Sequence, residues 1–232
     1  MVARAVALAA ATLLAAGCAT GPPRAADGLS AEEHNDLGVA YHARGRYDLA
    51  AQAFQRALER RPGWARALAN LGDARLAAGD RDAAIAAYAA ARASSPDDPA
   101  IANNLAWALL QDPERWREAE PLIREALRAA PEPRGYYLDT LGILLLRQER
   151  AGDALVAFRA ALADPGLRDP ATRALVLRHT GDALERLGDA AGAERCYRTA
   201  REVAGKPSGK AGGVASVGQG ASAEVGPGEG VC

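Results

Sequence analysis

The chain has 232 residues, of which 58 are alanine, and aromatic residues make up only 5%. A core built from alanine needs a close approach of backbones, which suits helices packed on helices, and no run of residues alternates with the period of two expected for strands. The formal net charge of −1 gives no overall field that would attract nucleic acid or an acidic membrane surface. Composition and charge therefore predict an all-α fold and argue against a nucleic-acid partner.

The first predicted element is a signal sequence at residues 1–17. Arg4 precedes an apolar stretch from Ala5 to Ala16, which is too short for a membrane span of roughly 20 residues but fits the core of a signal peptide. The stretch leads through small residues to Cys18. This arrangement resembles a bacterial lipoprotein signal, although that family prefers leucine three residues before the cysteine and Leu14 lies four before it.

The resemblance to lipoproteins implies that a lipid on Cys18 attaches the chain to a membrane. Ala19 in the second mature position implies the outer membrane, with the protein facing the periplasm. The alternatives are a weak membrane anchor and an ordinary secretory signal, which would leave the protein secreted or periplasmic. Residues 18–30 are predicted to form a flexible tether between the lipid and the first helix.

A set of residue types recurs five times between residues 31 and 207. A small residue returns at spacings of 34, 34, 36 and 39 residues: Gly38, Gly72, Ala106, Gly142 and Gly181. An alanine follows each after twelve or thirteen residues, and a large side chain comes four residues later: Phe54, Tyr88, Ile123, Phe158 and Tyr197. Repetition with a period of roughly 20–50 residues is typical of a solenoid.

Each repeated unit is predicted to be two helices joined by a turn. In the first unit, residues at i, i+3, i+4 and i+7 form one helix face: His34, Leu37, Gly38 and Tyr41. The turn between the two helices holds glycine in three units, where a left-handed residue ends a helix at low cost. Glutamate takes this place in the fourth unit; the residues are Gly45, Gly79, Glu149 and Gly188.

This pattern resembles the tetratricopeptide repeat over about residues 31–207. The resemblance implies a right-handed α-solenoid of five helix–turn–helix units at 31–64, 65–98, 99–134, 135–168 and 174–207. One unit cannot bury both faces of its helices, so stacking on neighbours stabilises the array. The second helix of the fifth unit is polar enough to cap the end of the array, with Arg195, Arg198, Arg201 and Glu202.

In this family the first helices of successive repeats line a concave surface, so the resemblance implies a protein-binding groove. Carried over position by position, its residues are Asn35, His42, Arg66, Asp73, Asn103, Trp107, Leu110, Tyr136, Asp139, Ile143, Arg178 and Asp182. Trp107 has the character of a binding hot spot; the alternative is that Trp107 and Ile143 pack against neighbouring helices. The family's clamp for peptide ends needs Lys and Asn where Asn35 and Val39 stand, which disfavours chaperone tails as partners.

Residues 208–232 are predicted to be a flexible tail, because glycine, serine and alanine dominate and no periodicity remains. Cys196 and Cys232 are not expected to form a disulfide framework, and neither has a His or Cys at metal-ligand spacing.

Catalytic motifs are missing from the sequence. It contains no phosphate-binding loop, no Gly-x-Ser-x-Gly elbow and no His-Glu-x-x-His pair. The three histidines fall on three different predicted helices: His34, His42 and His179. The sequence therefore predicts a protein that is not an enzyme and that uses no cofactor, metal or small-molecule substrate.

The leading interpretation is a non-catalytic scaffold or adaptor, lipid-anchored in the bacterial cell envelope, that assists assembly of an envelope complex through protein partners. A narrower resemblance, in size, lipid signal and tandem repeats, is to pilus-assembly lipoproteins that support secretin ring formation. Two further alternatives remain: a self-associating structural protein, and a tether for an envelope enzyme.

Overall fold

The computed structural model describes residues 28–130 and 134–205 together with Cys232. Within these residues the chain forms ten α-helices, one short 3-10 helix and no strand. The α-helices are α1 Ala31–His42, α2 Tyr47–Arg60, α3 Ala65–Ala77, α4 Arg81–Ser94, α5 Pro99–Leu110, α6 Ala119–Ala129, α7 Gly135–Arg147, α8 Ala151–Ala163, α9 Pro170–Arg186 and α10 Ala190–Ala204; the 3-10 helix, Trp116–Glu118, precedes α6.

The ten helices stack as five consecutive pairs. Each odd-numbered helix packs on the even-numbered helix that follows it, and each even-numbered helix packs on the first helix of the next pair. The first helices also contact one another in series, α1 with α3, α3 with α5, α5 with α7 and α7 with α9, which places them along the inner side of the array. The predicted all-α solenoid of five helix pairs is confirmed.

An aromatic ring explains the glycine at four of the five helix crossings, while the third unit pairs Ala106 with Ile123. We call the small residue at each crossing the packing glycine (Gly38, Gly72, Gly142, Gly181, and Ala106 in the third unit). A Cβ on Gly72 would lie 2.6 Å from Cε1 of Tyr88, and a Cβ on Gly142 would lie 2.3 Å from Cε1 of Phe158. Both distances are too short for any side chain. Phe54 and Tyr197 lie in the same way against Gly38 and Gly181. Glycine is required because the ring of the second helix rests on the backbone of the first.

The turns between helices use the left-handed backbone that the sequence predicts. Gly45, Gly79 and Gly188 have φ angles of +70°, +84° and +83°, and Glu149 adopts φ +60° in the fourth unit. Side chains cap several helix starts as well. Ser30 and Glu33 form a reciprocal capping box at the start of α1, which satisfies backbone N–H groups that have no partner inside the helix.

The fifth pair begins four residues before the predicted start at residue 174. Its first helix, α9, starts at Pro170, and the side chain of Asp169 accepts a hydrogen bond from the backbone N–H of Thr172. Proline at the first helical position needs no N–H partner, and aspartate is a favourable N-cap residue, so together they extend the helix by one turn.

Cys196 and Cys232 form a disulfide, which contradicts the expectation that these cysteines stay apart. Their Cα atoms are 5.0 Å apart, and 36 residues separate them in the sequence. Cys196 is completely buried in α10, and Cys232 packs with it against Leu155 and Leu184. Sequence spacing cannot reveal this pairing because the segment between the two cysteines has no periodic pattern.

The remaining predictions about the chain ends lie outside the described residues. These are the signal sequence at 1–17, Cys18 with most of the tether at 18–30, and the tail from 208 up to Cys232. Among the residues that the structure does describe, no helix is both long enough and apolar enough to cross a membrane.

Candidate protein-binding groove

The residue that follows each packing glycine forms a strip along the inner side of the first helices. We call it the inner strip; from the first unit to the fifth it consists of Val39, Asp73, Trp107, Ile143 and Asp182. Its two central members are large and apolar, and both are partly exposed. Carboxylates stand on either side of them, in the second and fifth units. The inner strip therefore has an apolar centre between two carboxylates, and the apolar Val39 continues it beyond Asp73.

Trp107 contacts a residue two repeats further along the array. The centroids of its ring and of the His179 ring are 6.2 Å apart, so the two side chains bridge α5 and α9. Ile143, which lies between them in the chain, is partly buried and packs against the core clusters of the central and fourth units. Tyr136 is 42% exposed at the start of α7. Trp107 and Tyr136 thus offer accessible aromatic surface, whereas Ile143 is mainly a packing residue.

Tyrosines of the second helices hold both carboxylates of the inner strip. Tyr88 donates a hydrogen bond of 2.6 Å to Oδ1 of Asp73, and Tyr197 donates one of 2.8 Å to Oδ1 of Asp182. Burial raises the pKa of Asp73, although the Tyr88 hydrogen bond and the nearby His42 act in the opposite direction. These hydrogen bonds fix one carboxylate oxygen and leave the other to accept a further donor.

Four predicted groove residues are buried instead. Asn35, Asn103, Leu110 and Asp139 are 5%, 8%, 2% and 6% exposed. The first helix of the next repeat covers the position three residues before the packing glycine: Oδ1 of Asn35 accepts a 2.9 Å bond from Asn70, and Asp139 pairs with Nδ1 of His179 at 2.8 Å. Leu110 belongs to the core, and Arg147 of the next repeat donates to its carbonyl.

The other predicted residues remain accessible. His42 is partly exposed, with its ring 5.2 Å from that of Tyr47, and Arg66 is exposed at the start of α3. Arg178 and Asp182 are exposed as well, but they also line a separate cavity of about 760 Å³ between α9 and α10. The structure therefore divides the predicted set into inner-strip residues, a buried group, residues of an end cavity, and three accessible residues outside these groups: His42, Arg66 and Tyr136.

Asn70 and His179 were not among the predicted site residues, although the sequence contains a signal for them. The residue two before the packing glycine is polar in all five units: Asp36, Asn70, Asn104, Thr140 and His179. In two of the four joints between repeats it bonds to the residue three before the packing glycine of the preceding repeat. We call this contact the joint pair.

Within the described residues, no group of His, Cys, Asp and Glu could hold a metal ion.

Two family models of the tetratricopeptide repeat match the sequence. One matches residues 41–103 and 75–139, and the other matches residues 2–64. Together they cover residues 2–139, which is more than half of the chain. The second match begins inside the segment that the sequence analysis assigns to a signal sequence.

Solved structures show the same fold. A tetratricopeptide-repeat protein of Thermus thermophilus is 24% identical, with a TM-score of 0.64 over 76% of this chain and 93% of that chain. PilF of Pseudomonas aeruginosa is also 24% identical, with a TM-score of 0.61 over 76% of this chain and 77% of that chain. A chain of an APC/C hetero-tetramer is 17% identical, with a TM-score of 0.69 over 75% of this chain and 33% of that chain. No curated protein matches the sequence.

Proposed function

The chain belongs to the tetratricopeptide-repeat family, and from that premise we propose that it is an adaptor of the bacterial cell envelope. Its inner strip would hold a segment of a partner protein while a lipid on Cys18 keeps it at the outer membrane, facing the periplasm. Repeat proteins of this family generally act by binding other proteins, so the proposal includes no catalytic step, cofactor or small-molecule substrate.

The arrangement of the inner strip is the observation that carries the proposal. Trp107 supplies a large, partly exposed apolar surface in the centre, and Tyr136, 42% exposed, adds an aromatic ring on the first helix of the next repeat. Aromatic residues of this kind dominate binding energy in protein interfaces because they bury much surface and lose little side-chain entropy. A helix or extended segment with apolar anchors suits such a surface.

The flanking carboxylates narrow the kind of partner. Asp73 and Asp182 each keep one oxygen fixed by a tyrosine hydroxyl, so each is preorganised to accept a hydrogen bond from a cationic side chain. We therefore propose a partner segment with apolar residues in its middle and Arg or Lys towards both ends. Such charges would contribute selectivity and a salt-dependent association rate more than affinity.

The disulfide supports an envelope location. Disulfides persist in the periplasm and outside the cell, and are rare in the reducing cytosol. The bond between Cys196 and Cys232 therefore supports export of the chain, which the lipoprotein-like signal at Cys18 also predicts. Because one acyl chain binds a membrane only marginally, stable attachment would need the several chains of a lipoprotein anchor.

A narrower candidate is an assembly lipoprotein for a pilus or secretion secretin. The lipid signal, the tandem repeats and the fold likeness to PilF of P. aeruginosa support it. Self-association and tethering of an envelope enzyme are the other candidates, and they differ in the identity of the partner.

Site-specific photocrosslinking in intact cells tests the groove. A photoreactive residue at position 107 should capture a partner, whereas the same residue at position 156 should not, because Val156 is 69% exposed on a second helix, away from the inner strip. Equal capture from both positions, or capture only from position 156, would place the binding surface elsewhere.

Metabolic labelling with a fatty acid tests the anchor separately. The wild-type chain should be labelled and sediment with membranes, while Cys18→Ser should be unlabelled. A wild-type chain that carries no label would remove the lipid from the proposal but leave the groove untouched.

A further inference from the structure

Among the described residues, the last helix pair leaves a position where one more first helix could pack. The cavity of about 760 Å³ between α9 and α10 is lined by alanines and Leu175, by two arginines, Arg178 and Arg201, and by Asp182 with Tyr197. Inside the array, the first helix of the next repeat covers the same position, which leaves Asp139 only 6% exposed, whereas Arg178 at the equivalent position of the last repeat is exposed. We call this cavity the end slot.

The other end of the array exposes the complementary helix face. In the inner repeats, the residue two after the packing glycine is buried completely or almost so: Ala74 0%, Ala108 0%, Leu144 2% and Ala183 0%. In α1 the corresponding Ala40 is exposed, and so is Leu37, at 36%. No described residue therefore covers the face of α1 that a preceding repeat would cover.

The two ends carry opposite charges in the register of the joint pair. A joint pair links two neighbouring repeats. Its first member lies three residues before the packing glycine of one repeat, and its second member lies two residues before the packing glycine of the next. Asn35 with Asn70 and Asp139 with His179 are the two examples. At the end slot the first of these positions is Arg178. On α1 the second is Asp36. Both are exposed, and neither has an ion-pair partner among the described residues.

We propose that the end slot binds α1 of a second copy of this chain, so that copies associate head to tail and continue the solenoid. Arg178 of one copy then pairs with Asp36 of the next, Leu37 and Ala40 cover the apolar floor of the slot, and Arg201 faces the acidic first turn of α1. The contact is heterologous, so it extends into open chains instead of closing into a dimer. It uses the ends of the array: Asp182, the last member of the inner strip, lines the end slot, and the other four members of the strip remain accessible.

The end slot shares Asp182 with the inner strip but does not include Trp107, on which the crosslinking test of the proposed function rests. A slot for one helix is small, so the association is weak and depends on salt. Sedimentation velocity of the full chain in detergent, from about 1 μM to about 1 mM, brackets Kd values of micromolar to millimolar strength. The sedimentation coefficient should rise with concentration without a plateau at the dimer, and added salt should reduce the rise.

Two charge reversals make the test specific. Asp36→Arg places two arginines at the joint, and Arg178→Asp places two aspartates there, so either variant alone should raise Kd at least about tenfold. An equimolar mixture of the two variants should associate like the wild type. In the mixture every joint again holds one arginine and one aspartate, because copies of the two variants alternate.

Several results would overturn the proposal. A wild-type chain that stays monomeric throughout the range would show that the end slot does not bind α1 of a second copy. A plateau at the dimer, or a mixture no more associated than its components, would indicate another contact. Circular dichroism of both variants should match the wild type, because both residues are exposed.

Discussion

The hydroxyl of Tyr88 donates a 2.6 Å hydrogen bond to Oδ1 of Asp73, and the same tyrosine ring rests against the backbone of Gly72. One side chain of a second helix thus fixes both the spacing of the helix pair and a carboxylate on its inner surface. Because Tyr88 serves both roles, substitutions at Gly72, Asp73 and Tyr88 can test the helix packing and the carboxylate of the inner strip one at a time.

Replacing Asp73 by Asn should stabilise the protein at neutral pH. Burial raises the pKa of Asp73 in the folded state above the ordinary value of 3.8, so the folded state binds its proton more tightly. The stability from this proton is fully present at a pH below the pKa that Asp73 has in the unfolded chain. It is lost as the pH rises through the higher pKa of Asp73 in the folded protein. The amide carries no charge and can still accept from Tyr88. Urea unfolding of both proteins from about pH 3 to about pH 8 should show their difference shrinking towards acid pH.

Tyr88→Phe is the matched variant for this contact. It keeps the ring against Gly72 but leaves a buried carboxylate without its donor, which should cost about 1–3 kcal/mol at neutral pH. For the Asp73→Asn comparison, a stability advantage of the variant over the wild type that grows as the pH falls would mean that folding lowers the pKa of Asp73.

Gly72→Ala should destabilise the second helix pair. Its Cβ would fall 2.6 Å from the Tyr88 ring, and overpacking of this kind costs about 1–3 kcal/mol. Gly152→Ala is the control, because Gly152 lies in the first turn of α8 and no atom approaches its added Cβ within 4 Å; it should leave the stability unchanged or raise it slightly. Thermal unfolding should therefore show a lower Tm for Gly72→Ala alone, and equal shifts would disprove the ring contact.

Trp107→Ala should weaken partner capture much more than it weakens folding. A central aromatic residue in an interface contributes about 2 kcal/mol or more, whereas Trp107 is only partly buried and loses little packing when truncated. The measurements are pull-down of the crosslinked partner and thermal unfolding, with Val156→Ala as an exposed control that should change neither. If Trp107→Ala unfolds the protein while its folded fraction still captures the partner, Trp107 is a core residue.

Reduction of the disulfide should destabilise the fifth repeat. The bond joins residues 36 apart. Closing a loop of that length lowers the conformational entropy of the unfolded chain, which stabilises the folded state by about 3–4 kcal/mol. Because repeats contact only their neighbours, hydrogen exchange should increase first in α9 and α10. Cys232→Ser should behave like the reduced wild type and show no further response to reductant. An unchanged exchange rate after reduction would contradict this stabilising role.

The repeat, its period, the helix pairs and the positions of the turns can all be predicted from the amino-acid sequence. These features depend on residue types at short spacings, such as a glycine opposite an aromatic side chain, so each unit reports them independently. The inner strip was also predictable to a useful degree, since Asp73, Trp107 and Asp182 follow directly from the register of the packing glycines.

Which polar residues are buried, and which surfaces the ends of the array expose, depends on how the repeats pack in three dimensions. Asn35 and Asp139 are covered because each meets a residue 35 or 40 positions later in the next repeat. The disulfide between Cys196 and Cys232, and the matching positions of Asp36 and Arg178, likewise depend on how separate units stack. Periodicity within one unit carries no information about such contacts, because they form only when the hydrophobic faces of neighbouring repeats pack together.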